Sequence, residues 1–167
     1  MKRNRLHSGF TLLEILVVMV IIGILATIGL RSFGSSQVKA RDAKRKSDMH
    51  NIATALEVYH NDKGQYPVGN NGVMMGCGIG AAEACTWGEI WQEDFATASD
   101  TIYMVKLPAD PAGGASYYYV SAVPNKTYRL YATLENGLDG DINAADSGLQ
   151  CGAVECNYVV TSTNESI

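Results

Sequence analysis

The chain has 167 residues, of which 18% are charged and 47% are hydrophobic, and its formal net charge is −4. This length suits one compact domain with appendages. Because acidic residues outnumber basic ones, the overall charge does not favour a protein that binds nucleic acid through a broadly basic surface.

Charge is divided unevenly along the chain. Residues 1–9 carry a net +3 and residues 31–46 a net +5, whereas residues 47–167 hold four basic and fifteen acidic side chains. A basic stretch and an acidic region of this kind would attract each other between copies of the chain. The alternative is that both are ordinary solvated surfaces.

An apolar stretch follows the basic start, from Phe10 to Leu30, and Glu14 is its only charged residue. The stretch is long enough to cross a bilayer, and a carboxylate inside such a segment is rare unless it has a function. A secretory signal peptide places its small-residue cleavage site after the apolar stretch, whereas here Gly9 precedes it. Cleavage beside Gly9 would leave the apolar segment on the mature protein.

The sequence predicts one long helix over residues 10–62. No proline occurs before Pro67, and Met49, Ile52, Leu56 and Tyr59 recur at helical spacing. Gly64 is the expected C-terminal cap. The second half of this helix is amphipathic and therefore needs a partner surface for its apolar stripe.

Shorter elements are predicted further along the chain. Residues 86–95 have the spacing of a short capped helix, whose tryptophans either pack on the domain or bind a ligand. Alternating patterns predict strands at 116–122, 127–135 and 157–163, with 123–126 as a hairpin loop. Packed on the helix stripe, three antiparallel strands would make a small α+β head.

The four cysteines form two close pairs, Cys77 with Cys85 and Cys151 with Cys156. Neither pair has C-x-x-C spacing and no histidine is near, so a zinc site is not favoured. Two local disulfides in an oxidising compartment are the expectation, with free buried thiols as the alternative.

The segment GFTLLE at 9–14, with Lys and Arg before it and an apolar helix after it, resembles the cleavage and methylation motif of type IV pilins and type II secretion pseudopilins. The segments at 40–67 and 107–111 resemble the stalk and head of major pseudopilins more loosely. The resemblance implies a pilin-like α+β fold, in which a long N-terminal transmembrane and stalk helix packs on a small antiparallel sheet. The expected divisions are a leader (1–9), a transmembrane or filament-core helix (10–30), an amphipathic stalk (31–64) and a globular head (65–167).

The resemblance also implies how the chain is processed and assembled. A prepilin peptidase would cut between Gly9 and Phe10 and methylate the new amino terminus of Phe10. The Glu14 carboxylate would then pair with that amine on a neighbouring subunit. The N-terminus would lie in the cytoplasm, the helix in the inner membrane, and the head in the periplasm or outside the cell. Partners would be identical subunits, minor pilins and an inner-membrane assembly platform.

Residues 139–146 carry oxygen ligands at Asp139, Asp141, Asn143 and Asp146, beginning like an EF-hand loop. The pattern then fails, because Ala144 stands at the glycine position and Gln150 at the glutamate position. The resemblance to major pseudopilins favours a Ca²⁺ site in this loop, and a solvated acidic turn is the alternative.

The basic run at 39–46 could contact DNA or lipid headgroups, or could be a solvated or subunit-facing helix surface. No nucleophile elbow, phosphate loop or metalloprotease motif occurs, so an enzyme is not expected. A filament subunit is the leading interpretation. A minor tip subunit that binds a surface, DNA or cargo is the second, and an anchored protein that never polymerises is the third.

Overall fold

The computed structural model describes residues 9–78, 83–92, 101–122, 124–143 and 148–163, except for the side chains of 28–32. Within these ranges the chain forms one helix and ten short strands. They are α1 (Leu12–Lys63), β1 (Gly69–Asn70), β2 (Val73–Cys77), β3 (Glu83–Ala84), β4 (Trp91–Gln92), β5 (Ile102–Met104), β6 (Tyr118–Ala122), β7 (Thr127–Ala132), β8 (Gln150–Cys151), β9 (Val154–Glu155) and β10 (Tyr158–Thr161). The chain divides into two compact units, residues 1–38 and 39–167.

Helix α1 begins and ends close to the predicted limits. It ends at Lys63, and the backbone N–H of Gly64 donates to the carbonyl of His60 at 2.8 Å. Gly64 has a φ of 68°, a left-handed conformation that costs glycine little. The predicted C-terminal cap is therefore confirmed.

The predicted membrane span at 10–30 lies almost entirely within α1. Among the side chains that the structure describes, no helical stretch combines the length and the mean hydropathy needed to cross a bilayer. The predicted span at 10–30 includes residues 28–32, whose side chains lie outside that description.

The core of the second unit lies against the predicted stripe of α1. Met49, Ile52 and Leu56 are completely buried, and Tyr59 is nearly so. They belong to one apolar cluster with side chains of β6 and β7, including Tyr119. Burial of a large apolar side chain contributes roughly 1.5–3 kcal/mol, so this contact is a main source of stability for the unit.

The sheet that covers this stripe has three antiparallel strands in the order β10-β7-β6. Its central strand β7 pairs on both sides, and four of its six residues are buried. Asn125 adopts a φ of 59° in the turn between β6 and β7, and Val123 of the predicted hairpin loop lies outside the described residues. The three predicted strands and the α+β class are confirmed, although each strand is shorter than predicted.

Both predicted disulfides form. Cys77 at the end of β2 bonds to Cys85, just after β3, so this bridge closes a small antiparallel pair. Cys151 bonds to Cys156 across the β8–β9 pair. Each bridge therefore links a short strand pair covalently, and its two cysteines are buried in an apolar cluster.

The prediction of a helix at 86–95 is wrong for the described residues of this range, 86–92. Residues 86–89 form a turn, and β4 follows and pairs with β5. The backbone of Gly88 and Glu89 bonds to Leu107 instead of continuing a helix, and Gly88 has a φ of 95°. The Trp91 side chain is completely buried and donates to the carbonyl of Gly76 at 3.2 Å, which supports the packing interpretation of this aromatic residue.

Candidate assembly sites

The first turn of α1 is closed by a capping box. The backbone N–H and the hydroxyl of Thr11 both donate to Glu14 Oε2, at 2.9 and 3.0 Å. The backbone N–H of Glu14 in turn approaches Thr11 Oγ1 at 3.3 Å. This reciprocal pattern satisfies donors that a helix start otherwise leaves unpaired. Glu14 therefore has a partner within its own chain, a contact that was not predicted from the sequence.

Only one oxygen of Glu14 is used in this way. All the hydrogen bonds between Thr11 and the carboxylate end on Oε2, and Oε1 has no hydrogen-bond partner among the described residues. The residue is exposed. One carboxylate oxygen thus orients the side chain, and the other remains available to a group from outside the described chain.

Around Glu14 the N-terminal unit displays an extended apolar surface. Thirteen large apolar side chains between Phe10 and Leu25 are 47–84% exposed. Soluble monomers rarely expose contiguous apolar surface on this scale, and such patches usually mark contacts with proteins or lipid. Gly9 and Phe10, the predicted cleavage pair, precede the helix in an irregular and exposed stretch.

The basic run at 39–46 is mostly paired within its own unit. Arg41 and Arg45 both contact Glu135, Lys44 contacts Asp48, and Lys46 contacts the loop after β7. Much of the attraction between basic and acidic residues is therefore used inside one chain, and attraction between copies of the chain stays a prediction. This pairing also leaves fewer cations of the run for DNA or lipid headgroups.

Arg45 is the centre of this ion network. Its guanidinium binds Asp110 through two hydrogen bonds of 2.8 and 2.9 Å, and it donates to Asp42 at 2.8 Å. The side chains of Arg45, Asp42 and Asp110 are only 1–2% exposed. A fork of two parallel hydrogen bonds is a strong and directional contact for a buried arginine. It joins α1 to the connector at 107–111, two segments that are distant in sequence.

Asp42 extends the network to the segment after β7. Its two carboxylate oxygens accept from the backbone N–H groups of Glu135 and Asn136, at 2.9 and 2.8 Å. The nearby Glu135 carboxylate is hydrogen-bonded first by Arg41 and then by Arg45, which lowers its pKa to about 2. The network therefore holds this segment on α1, and its Glu135 carboxylate stays ionised in moderately acidic solution.

The predicted calcium ligands are only partly brought together. Asp139 Oδ1 and Asp141 Oδ2 converge, each at 2.6 Å from Lys46 Nζ. The backbone N–H of Asn143 donates to the carbonyl of Asn157, and Asp146 lies outside the described residues. Among the described positions no three His, Cys, Asp or Glu side chains form a metal-binding group. Calcium binding stays a prediction.

Two family profiles match the chain and together cover most of it. Residues 4–30 match the prokaryotic N-terminal methylation motif, and residues 32–150 match type II secretion system (T2SS) protein G. The first match includes the predicted cleavage pair and the capping box. The second includes the ion network and two strands, β6 and β7, of the three-stranded sheet.

Curated relatives agree with these profiles. The chain is 34% identical over 146 residues to type II secretion system core protein G of Escherichia coli K12, covering 87% of this chain and 92% of the relative. It is 32% identical over 149 residues to the protein of the same name in Pseudomonas aeruginosa, covering 87% and 96%. With the Vibrio cholerae protein of that name the identity is 30% over 152 residues, covering 91% and 94%. No solved structure is significantly similar to the chain.

Proposed function

Because this chain belongs to the type II secretion system protein G family, we propose that it is a structural subunit that polymerises into a pseudopilus. Its role is structural rather than enzymatic. Before assembly the N-terminal helix anchors the subunit in the inner membrane with the N-terminus in the cytoplasm. After assembly the heads face the periplasm, and minor pseudopilins and an inner-membrane platform are its further partners.

The exposed apolar surface between Phe10 and Leu25 carries this proposal. Each square ångström of apolar surface removed from water contributes about 25 cal/mol, so thirteen exposed side chains represent a large driving force for association. Lipid covers this surface before assembly. The same surface of neighbouring copies covers it in the filament, where the helices are bundled at the core.

Glu14 gives this association a defined axial position. Cleavage after Gly9 creates an ammonium on Phe10, and Glu14 Oε1 has no partner among the described residues. The amine of one subunit and the carboxylate of the next neutralise each other in an apolar environment. Leaving one member of a buried ion pair alone costs roughly 3–5 kcal/mol. One stagger of the helices satisfies both charges, and other staggers leave them unpaired.

Processing is tested by mass spectrometry of the protein made together with a prepilin peptidase. We expect loss of nine residues, one methyl group on the Phe10 amine and two disulfides. Gly9→Val is the informative variant, because a Cβ at Gly9 meets nothing within 4 Å among the residues that the structure describes. Loss of cleavage in this variant then reflects the peptidase rather than misfolding. Equal cleavage of both proteins would contradict the assigned site.

Assembly is tested with two variants that separate the charge of Glu14 from its capping role. Glu14→Gln keeps an amide able to serve in a capping box but removes the charge, whereas Thr11→Ala removes the cap and keeps the carboxylate. We expect Glu14→Gln to reduce sedimentable filaments more than tenfold when peptidase and assembly machinery are present. Thr11→Ala should retain most of them, since a lost cap costs only about 0.5–2 kcal/mol.

Two outcomes would contradict the proposed pairing of Glu14 with the Phe10 amine. If Glu14→Gln formed filaments as wild type does, the charge would have no part in assembly. If Thr11→Ala lost filaments as severely as Glu14→Gln, the carboxylate would matter only through the helix start. Processing of each variant is checked in parallel, so that an uncut subunit is not mistaken for one that fails to assemble.

A further inference from the structure

The segment after β7, residues 135–143, is hereafter the acidic loop. Residues of α1 hold it: Arg41 and Arg45 pair with Glu135, and two further residues one turn apart contact its start and its middle. Asp42 accepts hydrogen bonds from the backbone at the start of the loop, and the Lys46 ammonium contacts two carboxylates near its middle. At its far end the backbone of Asn143 bonds to Asn157, just before β10. The loop is therefore fixed at three points, and all of its described contacts lie within the second unit.

Lys46 occupies the position at which the carboxylates of the acidic loop converge. Its Nζ lies 2.6 Å from both Asp139 Oδ1 and Asp141 Oδ2, and 5.8 Å from the centre of the Tyr158 ring. The Lys46 side chain is 27% exposed. An ammonium with two carboxylates and an aromatic face around it is a well-satisfied cation. Asp139 Oδ1 also accepts from the backbone N–H of Asp141, which sets the turn of the loop.

We propose that Lys46 is the resident cation of the acidic loop and does there what a divalent metal ion would otherwise do. It neutralises the two converging carboxylates and ties the loop to α1. Ca²⁺ takes six to eight oxygen ligands at short distances. A metal ion on Asp139 and Asp141 would meet the ammonium at the same point, and the two positive charges would repel each other. The folded head therefore keeps this loop in place without a divalent ion. The inference stands independently of pseudopilus assembly.

The first test compares the melting temperature of the full chain in detergent with excess CaCl₂ and with EDTA. Near-ultraviolet circular dichroism follows the tyrosine and tryptophan side chains of the head. We expect the same melting temperature in both solutions. A melting temperature that rises with calcium would overturn the proposal, because the loop would then depend on a metal ion that Lys46 does not replace.

The second test is a double-mutant cycle on Lys46→Gln and Asp139→Asn, in EDTA. We expect Lys46→Gln to lower the melting temperature by about 2 °C or more. Asp139→Asn should lower the melting temperature less in the Lys46→Gln background than in wild type, because the contact between Lys46 and Asp139 is then already lost. The asparagine keeps an oxygen that can accept from Asp141, so the turn itself is preserved.

Lys39→Gln is the matched control for this cycle. Lys39 lies on the same helix, is exposed, and forms no ion pair with the described residues. Its replacement makes the same change in net charge and should leave the melting temperature unchanged. The proposal is overturned if Lys46→Gln melts as Lys39→Gln does, or if the effects of Lys46→Gln and Asp139→Asn are simply additive.

Discussion

Two stretches of α1 with similar helical geometry have opposite environments. Between Phe10 and Leu25 the large apolar side chains are about half exposed or more, whereas Met49, Ile52 and Leu56 are completely buried. The second stretch finds its apolar partner in the sheet of its own chain, and the first has none among the described residues. The comparison shows that one part of the helix is used in folding and the other is available for association.

Charge follows the same division. In the N-terminal unit Glu14 is exposed and has only Thr11 as a partner among the described residues, through one oxygen. In the second unit Asp42 is buried, and both of its oxygens are occupied by backbone donors and by Arg45. Burying a charged group without a full set of partners is costly, and the buried Asp42 carboxylate has its partners within the head itself. The Glu14 carboxylate, whose second oxygen has no hydrogen-bond partner among the described residues, is instead suited to an intermolecular contact.

The largest effect is expected where a charge is removed from the buried network. Arg45→Met leaves Asp42 and Asp110 buried without their guanidinium, which costs roughly 3–5 kcal/mol. Denaturant unfolding of the full chain in detergent measures this loss. Arg41→Met is the comparison, because the Arg41–Glu135 pair is about one-third exposed and such pairs contribute roughly 0.2–1 kcal/mol. Equal losses for the two variants would mean that burial of the network does not determine its strength.

The next effect separates the two stretches of α1 directly. Ile52→Ala removes a completely buried side chain and should lower the free energy of unfolding of the head by about 2–5 kcal/mol. Ile15→Ala changes a side chain that is 49% exposed and should leave that free energy unchanged within error. The same denaturant titration measures both. A destabilised head in Ile15→Ala would show that the N-terminal stretch contributes to folding after all.

The smallest effect is a pH dependence. The pKa of Glu135 is lowered from 4.5 to about 2, first by its hydrogen bond with Arg41 and then by Arg45. Because the folded-state pKa is the lower one, the carboxylate stabilises the fold fully above about pH 4.5, and this contribution is lost as the pH falls towards 2. Stability measured across this range should fall less steeply in Glu135→Gln than in wild type. If the curves of stability against pH were parallel for the two proteins, Glu135 would not be the cause of the loss of stability in acid.

The sequence predicted elements whose signal is local. The apolar stripe of α1, the cap at Gly64, the three strands and the cysteine pairs all follow from spacing over a few residues. The ion network was missed because the contact between Arg45 and Asp110 spans 65 positions. Composition showed a basic run beside an acidic region, but it could not show that most of the basic run pairs within one chain.

One sequence pattern gave opposite outcomes at two sites. Thr11 and Glu14 form a capping box, although their spacing was not interpreted as one from the sequence. Thr86 and Glu89 have the same spacing and form a turn instead. The difference lies in the neighbouring residues, because apolar helix formers continue after Glu14, whereas Gly88 interrupts the second site and its backbone bonds to Leu107. The spacing therefore identifies a helix start only where the next residues can extend it.

The position of the Thr11–Glu14 box relative to Gly9 has a consequence for maturation. Residues 9–11 precede the helix, so the bond after Gly9 lies outside its hydrogen-bonded turns. Both members of the box follow that bond, so the proposed cleavage would leave them on the subunit. Removal of the leader would then create a charged amine beside a helix start whose capping contacts all lie C-terminal to the cut.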